Sequence, residues 1–244
     1  MPEYVYGIVE GGAEAPQRRG IKDAPVRLVA GDGAAALVSD LPEGDLELGR
    51  DELLVHARVL EEVLSNGTVL PMSFGVVLEG PDEVRSRLLE QHAGELQAQL
   101  EHFGGKVEVN IRAVYDQEVL MREVVRGDRE IQRLREQLRG KPDDATYYER
   151  IRLGELVAQA IARQREVDSR QIVDAMGPSA LEIQVGEPAH ERIAFSASFL
   201  VARNQLDEFD KALDRLAESQ SGRLRFKYTG PLPPHSFVEF TQGG

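Results

Sequence analysis

The sequence contains no cysteine, which excludes disulfides and thiolate metal sites and suits a reducing compartment. No stretch reaches the ~20 apolar residues that a membrane span needs. The start, Met1-Pro2-Glu3, puts no basic segment ahead of the short apolar run Tyr4 to Val9, so nothing there reads as a secretory signal. Lysine is missing from residues 40 to 103, where 14 Asp and Glu stand against 4 Arg. Over the whole chain 42 acidic residues oppose 29 basic ones, a net charge of −13. That balance argues against a phosphate-binding surface and so against a nucleic-acid partner. A soluble cytoplasmic protein is expected, with no membrane contact. Its acidic outer face either keeps it in solution or attracts a basic partner.

Catalytic constellations are missing too. His56, His92, His102, His190 and His235 have no metal-ligand spacing with one another, which leaves them surface or structural roles. Gly31-Asp32-Gly33 lacks the lysine of a phosphate loop and leads into a strand. Ser73-Phe74-Gly75 lacks the glycine that precedes the serine of a nucleophile elbow. The expectation is a protein that is not an enzyme and uses no metal or cofactor.

What the chain does have is a helical run from Asp116 to Met176, broken at Gly140-Lys141-Pro142-Asp143-Asp144. Proline cannot continue a helix, and the Asp residues can cap the next one. Leu120, Val124, Ile131, Leu134 and Leu138 recur at helical spacing in the first arm, as do Tyr147, Ile151, Gly154, Ala158 and Ile161 in the second. The spacing predicts a helical hairpin over 116–176 whose long helix, 145–176, spans roughly 45 Å. Such an arm bridges domains or meets a partner. Tyr147 and Tyr148 stand near its start, as core packing or as a recognition pair.

Two strand-and-helix blocks flank the hairpin. In the first, 1–115, Tyr4 to Val9 is apolar on both faces, the pattern of a central strand. Val26 to Val29 and Ala35 to Val38 flank a glycine-rich turn. A helix over 51–64 carries the stripe Leu53, Ala57, Leu60 and Leu64, and Val69 to Leu78 reads as a strand interrupted by Pro71. A second helix, from Pro81 to Phe103, carries Val84, Leu88, Leu96, Leu100 and Phe103, and the block closes on the alternating strand 107–113. In the second block, 177–229, paired strands at 181–185 and 193–201 precede a helix capped by Asn204 and a last strand, 224–228. Arg223, Arg225 and Lys227 form a basic outer row on that strand. A proline-rich tail, 230–244, follows as an extended strap that docks through Leu232 and Phe237. The whole is read as α+β: two ferredoxin-like modules joined by the helical hairpin.

Three stretches together carry a family resemblance. They are Tyr4-Val5-Tyr6-Gly7-Ile8-Val9; Val69-Leu70-Pro71-Met72-Ser73-Phe74-Gly75-Val76-Val77; and Tyr228-Thr229-Gly230-Pro231-Leu232-Pro233-Pro234-His235-Ser236-Phe237-Val238. In order and spacing they resemble the gas vesicle accessory proteins of the F and L type, with His235 where an aromatic is common. The resemblance implies two α/β domains, no catalytic activity, and a part in assembling the gas-filled shell. It implies as partners the small hydrophobic shell subunit and other accessory proteins. Pro71, Met72, Phe74 and Gly75 are then a structural motif. Tyr147, Tyr148, Pro231, Leu232, Pro233, Pro234 and Phe237 are candidates for binding the partner, through an apolar groove near the long helix and the strap. A small-molecule sensor with a ligand between the modules is the alternative.

Overall fold

A computed structural model describes residues 1–42, 49–142 and 144–240. Glu43, Asp45 and Glu47 of the acidic face, Asp143 of the expected helix break and the last four tail residues lie outside these. The chain forms two compact units: residues 1–109, 202–204 and 230–244, and residues 110–201 and 205–229.

The sheet of the first unit is built on β1 (Glu3–Glu10), whose residues from Tyr4 to Val9 are buried on both faces. Its neighbours are β3 (Ala34–Asp40) on one side and β4 (Val69–Pro71) on the other; β2 (Arg27–Ala30) lies outside β3, and β5 (Val77–Leu78) also pairs with β1. β1 pairs antiparallel with β3, β4 and β5, and β2 pairs antiparallel with β3. Gly7 is required where β1 meets β4, because a Cβ there would sit 2.7 Å from the Leu70 carbonyl oxygen. Gly7→Ala is therefore expected to cost about 2 kcal/mol, read as a lower urea midpoint; an unchanged midpoint would show that β4 moves aside freely.

Helix α1 (Arg50–Asn66) lies against β1 and β4. Its buried stripe is His56, Val59, Leu60, Val63 and Leu64, while Leu53 is exposed. The helix is thus rotated from the expected stripe, because His56 has polar partners waiting in the core. The expected strand 69–78 is two short strands joined through a turn at Gly75, whose φ is +95°. The expected helix 81–103 is also divided: one turn, α2 (Pro81–Glu83), a π-helical segment over Val84–Glu90, and α3 (Ala93–Phe103). The wide π turn inserts one residue into the helical repeat. Leu89 is buried in consequence, and Leu88 is left half-buried at the surface.

The chain enters the second unit along β6 (Lys106–Tyr115). This strand, expected to complete the first module, belongs to the second sheet, whose order is β7 (Glu182–Val185), β8 (Ile193–Ala202), β6, β9 (Leu224–Leu232). The first sheet already has its fourth strand in β4. In both sheets the main path runs second, third, first, fourth when strands are counted along the chain. β9 reaches Leu232, so the first residues of the expected strap lie in a strand instead.

Between β6 and β7 run α4 (Gln117–Gly127), α5 (Arg129–Leu138) and α6 (Tyr147–Met176). The first arm of the expected hairpin is two helices because Asp128 intervenes: its carboxylate accepts from the backbone N–H groups of Glu130 and Ile131 and caps α5. Leu120, Val124, Ile131 and Leu138 are buried as the spacing predicts. α6 is 30 residues long and packs on α4, α5 and α7 (Leu206–Ser219). Gln205 precedes α7 with no side-chain cap, so the expected Asn204 cap is replaced by a 3-10 turn over Arg203–Gln205.

Candidate partner-binding surfaces

In the first unit the motif residues meet around one buried histidine. The Tyr4 hydroxyl lies 2.9 Å from His56 Nδ1 and accepts the Gly75 backbone N–H at 3.1 Å. The Tyr6 hydroxyl accepts from Ile21 N at 2.7 Å and pairs with Ser39 Oγ at 2.9 Å. The Phe74 ring packs against both His56 and Tyr4. Burial pushes His56 down to about 4, with nearby His235 adding to the effect, so the ring is neutral at physiological pH. Burial likewise raises Tyr4, to about 12. Pro71 and Met72 are buried beside this cluster. Two buried tyrosines, a neutral imidazole and a glycine turn satisfy one another and leave no activated nucleophile. Their arrangement locks the turn after β4 onto β1 and α1.

The tail closes on the same unit. Glu108, expected on the wet face of its strand, is only 1% exposed. Its two carboxylate oxygens accept from Ser236 N at 2.7 Å and Ser236 Oγ at 2.8 Å, which is why the strand pattern misplaced it. Of the candidate strap residues, Pro233, Pro234 and Phe237 are buried, Leu232 is half-buried and Pro231 is exposed. The strap thus spends most of its apolar surface on its own fold.

In the second unit Tyr147 and Tyr148 begin α6 and are 62% and 81% exposed, their rings meeting edge to face at 5.5 Å. The core alternative for this pair does not hold. Ile151, Gly154 and Ala158 are exposed with them, so four residues of the expected inner stripe face solvent and only Ile161 is buried. The covered face of this half of α6 is instead that of Leu153, Leu156 and Val157, which are half-buried. The exposed arginines Arg152 and Arg163 pair with Glu130 at 2.5 Å and with Asp128 at 3.4 Å. Around Gly154 there is open space where a side chain could enter. Spacings of four, three and four residues put Tyr147, Ile151, Gly154 and Ala158 on one helix face, left exposed by the described residues. Tyr147 and Tyr148 and the strap candidates lie in different units.

Among the described residues no three His, Cys, Asp or Glu side chains come together as a metal site, and no helix is long and apolar enough to cross a membrane. The model of the family described as "Gas vesicle synthesis protein GvpL/GvpF" matches residues 3–239. The chain belongs to the GvpL/GvpF family. Among its relatives there, gas vesicle protein F of Streptomyces sp. (strain CB03234) is 36% identical over 243 residues, covering 98% of this chain and all of its own. Gas vesicle protein F of Dolichospermum flosaquae is 25% identical over 98% of each chain. The GvpL/GvpF fold is shared as well: the crystal structure of GvpF from Anabaena sp. PCC7120 superimposes with a TM-score of 0.87 over 99% of both chains, at 23% identity. The mixed helix-and-sheet architecture is therefore that of GvpF.

Proposed function

We propose that this protein is a non-catalytic accessory factor of gas vesicle assembly, acting in the cytoplasm and at the growing vesicle. It binds the small hydrophobic shell subunit and works beside other accessory proteins. The observation that carries this reading is the exposed face of Tyr147, Tyr148, Ile151, Gly154 and Ala158 on α6. A subunit with apolar surface must be shielded until the shell grows, or it aggregates. An apolar helix face on which the small residues Gly154 and Ala158 follow a tyrosine pair accepts an apolar helix of such a subunit. The acidic surface around residues 49–103 holds the complex in solution. The family name and the coverage of residues 3–239 support the assembly role. Both units are read as variants of the ferredoxin-like plan, on the strength of their common strand order.

Co-purification of the tagged protein with the shell subunit from cells making both tests this. A Tyr148→Ala, Ile151→Asp double variant is expected to retain at least about tenfold less subunit. Because both side chains are exposed, its thermal melt should match that of the parent chain. Undiminished retention by this folded variant would remove the α6 face from the reading.

A further inference from the structure

The first unit carries a second apolar surface, and the chain's own last described residue sits in it. Met72, Val76, Leu78, Leu88 and Leu96 line a groove with Phe240, and about 230 Å3 stays open beside the ring. The π-helical segment makes this groove: its inserted residue sends Leu89 to the core and turns Leu88 outward. The Gln91 N–H closes that turn on the Ser86 carbonyl at 3.2 Å, the wide bond of a π turn. Such turns are frequent at functional sites.

The tail is held unevenly. Up to Phe237 it is fixed by the two bonds from Ser236 to Glu108 and by burial of Phe237 itself. The Val238 N–H still reaches the Pro234 carbonyl at 3.1 Å. Beyond that point the hold among the described residues is one bond, from Gln99 Nε2 to the Glu239 carbonyl at 2.8 Å, with Phe240 half-buried. The other end of that same amide, Gln99 Oε1, is buried and has no donor among the described residues. A buried acceptor left unpaired costs free energy that a better-placed segment recovers by donating a backbone N–H. Leu96 and Gln99 are three residues apart on α3, so the apolar groove and the orphan acceptor share one face.

We propose that this groove is a docking site for an extended segment of another protein that presents an aromatic side chain. In the resting protein the chain's own Val238–Phe240 occupies it as a built-in competitor. The occupant is defined by what the groove already takes: one ring, on extended backbone, beside an amide that accepts as well as donates. Arg87, His92 and Glu95 line the groove with both signs of charge, so the ring and the backbone carry the selection.

A fluorescein-labelled peptide of residues 238–244 serves as the probe, so the test involves neither the shell subunit nor the α6 face. Phe240→Ala is expected to bind the peptide about tenfold more tightly than the parent chain, since the competitor has lost its anchor. Adding Leu88→Asp should abolish that gain, with the thermal melt showing that the variant is folded. Equal peptide affinity for the parent and Phe240→Ala would overturn the proposal. The sequence has no tryptophan, so Phe240→Trp gives a single emitter in the groove. Its emission should be blue-shifted and move red as unlabelled peptide is added; emission of a solvated indole from the outset would also overturn it.

Discussion

Asp168→Ala is expected to destabilise the protein by about 3 to 5 kcal/mol, lowering Tm by roughly 10 °C for a chain of this length. Asp168 is on the buried face of α6 and only 2% exposed. Its Oδ2 accepts from the Tyr115 hydroxyl at 2.6 Å and from Arg223 Nη2 at 2.8 Å, and its Oδ1 accepts from Gln164 at 3.2 Å. Arg223, expected on the basic outer row of the last strand, is turned inward, where it also binds Glu123 at 2.9 Å and lies over the Tyr115 ring. Burial works against the Arg223 charge, but Asp168 and Glu123 outweigh it and hold its pKa above the usual value. Tyr115 is pushed up by burial and then by its bond to Asp168, so it stays a donor. Removing the carboxylate leaves Arg223 Nη2 and the buried Tyr115 hydroxyl without their acceptor while Glu123 still holds Arg223 Nε, and the loss exceeds that of a surface pair because both orphaned donors are inside. Glu123 is 37% exposed by side chain, and Glu123→Ala should cost about 1 kcal/mol or less. Urea unfolding of both variants checks the order. An Asp168→Ala midpoint equal to that of Glu123→Ala would mean the site relaxes or admits water in place of the carboxylate.

The elements that were legible in the sequence are those whose burial depends on local repeat. The central strand Tyr4 to Val9, the paired strands at 27–30 and 34–40, the 30-residue helix and the Phe209, Leu213 and Leu216 stripe of α7 all declare themselves through period two or period 3.6. What repeat cannot declare is which of two apolar faces is covered. On α6 the face of Tyr147, Ile151, Gly154 and Ala158 and that of Leu153, Leu156 and Val157 read alike; which of them is covered follows from packing on α4 and α5, which the repeat does not encode. Nor does it reveal a changed repeat, as in the π turn that exchanged Leu88 for Leu89. Polar residues were misplaced for one shared reason: their partners are remote in sequence. Glu108 meets Ser236, and Arg223 meets Asp168. The clue to Glu108 was present in the tail, where a serine between prolines and an apolar anchor offers two donors at a fixed point. Of the candidate binding residues, the tyrosine pair gained weight from its exposure. The strap is mostly buried, and its end lies in the groove of the first unit.

His56 makes the stability of the first unit depend on pH. The neutral ring accepts at Nδ1 from the Tyr4 hydroxyl, whose oxygen in turn accepts the Gly75 N–H, while a bond to the Met72 backbone favours the protonated form only weakly. Protonating Nδ1 removes the acceptor of the Tyr4 hydroxyl hydrogen. The folded pKa is about 4, depressed first by burial, against 6.5 for the free side chain. Between those values the unfolded chain binds a proton that the folded chain refuses, so stability falls as pH falls. This contribution is fully present above pH 6.5 and is lost progressively on the way down to about pH 4, a difference of about 3 kcal/mol. His56→Gln isolates it: the amide can accept from Tyr4 and donate to the backbone but does not titrate. Urea unfolding at several pH values from 7.5 to 4 should show the parent losing about 3 kcal/mol more than His56→Gln across the interval. Glu52, held to about 2 by Lys22 and by backbone N–H groups, loses its contribution at lower pH and is common to both proteins. Parallel pH profiles for the two would mean that water or a local opening around Gly75 admits the proton to His56, and the lock between the turn and β1 would then be looser than its hydrogen bonds imply.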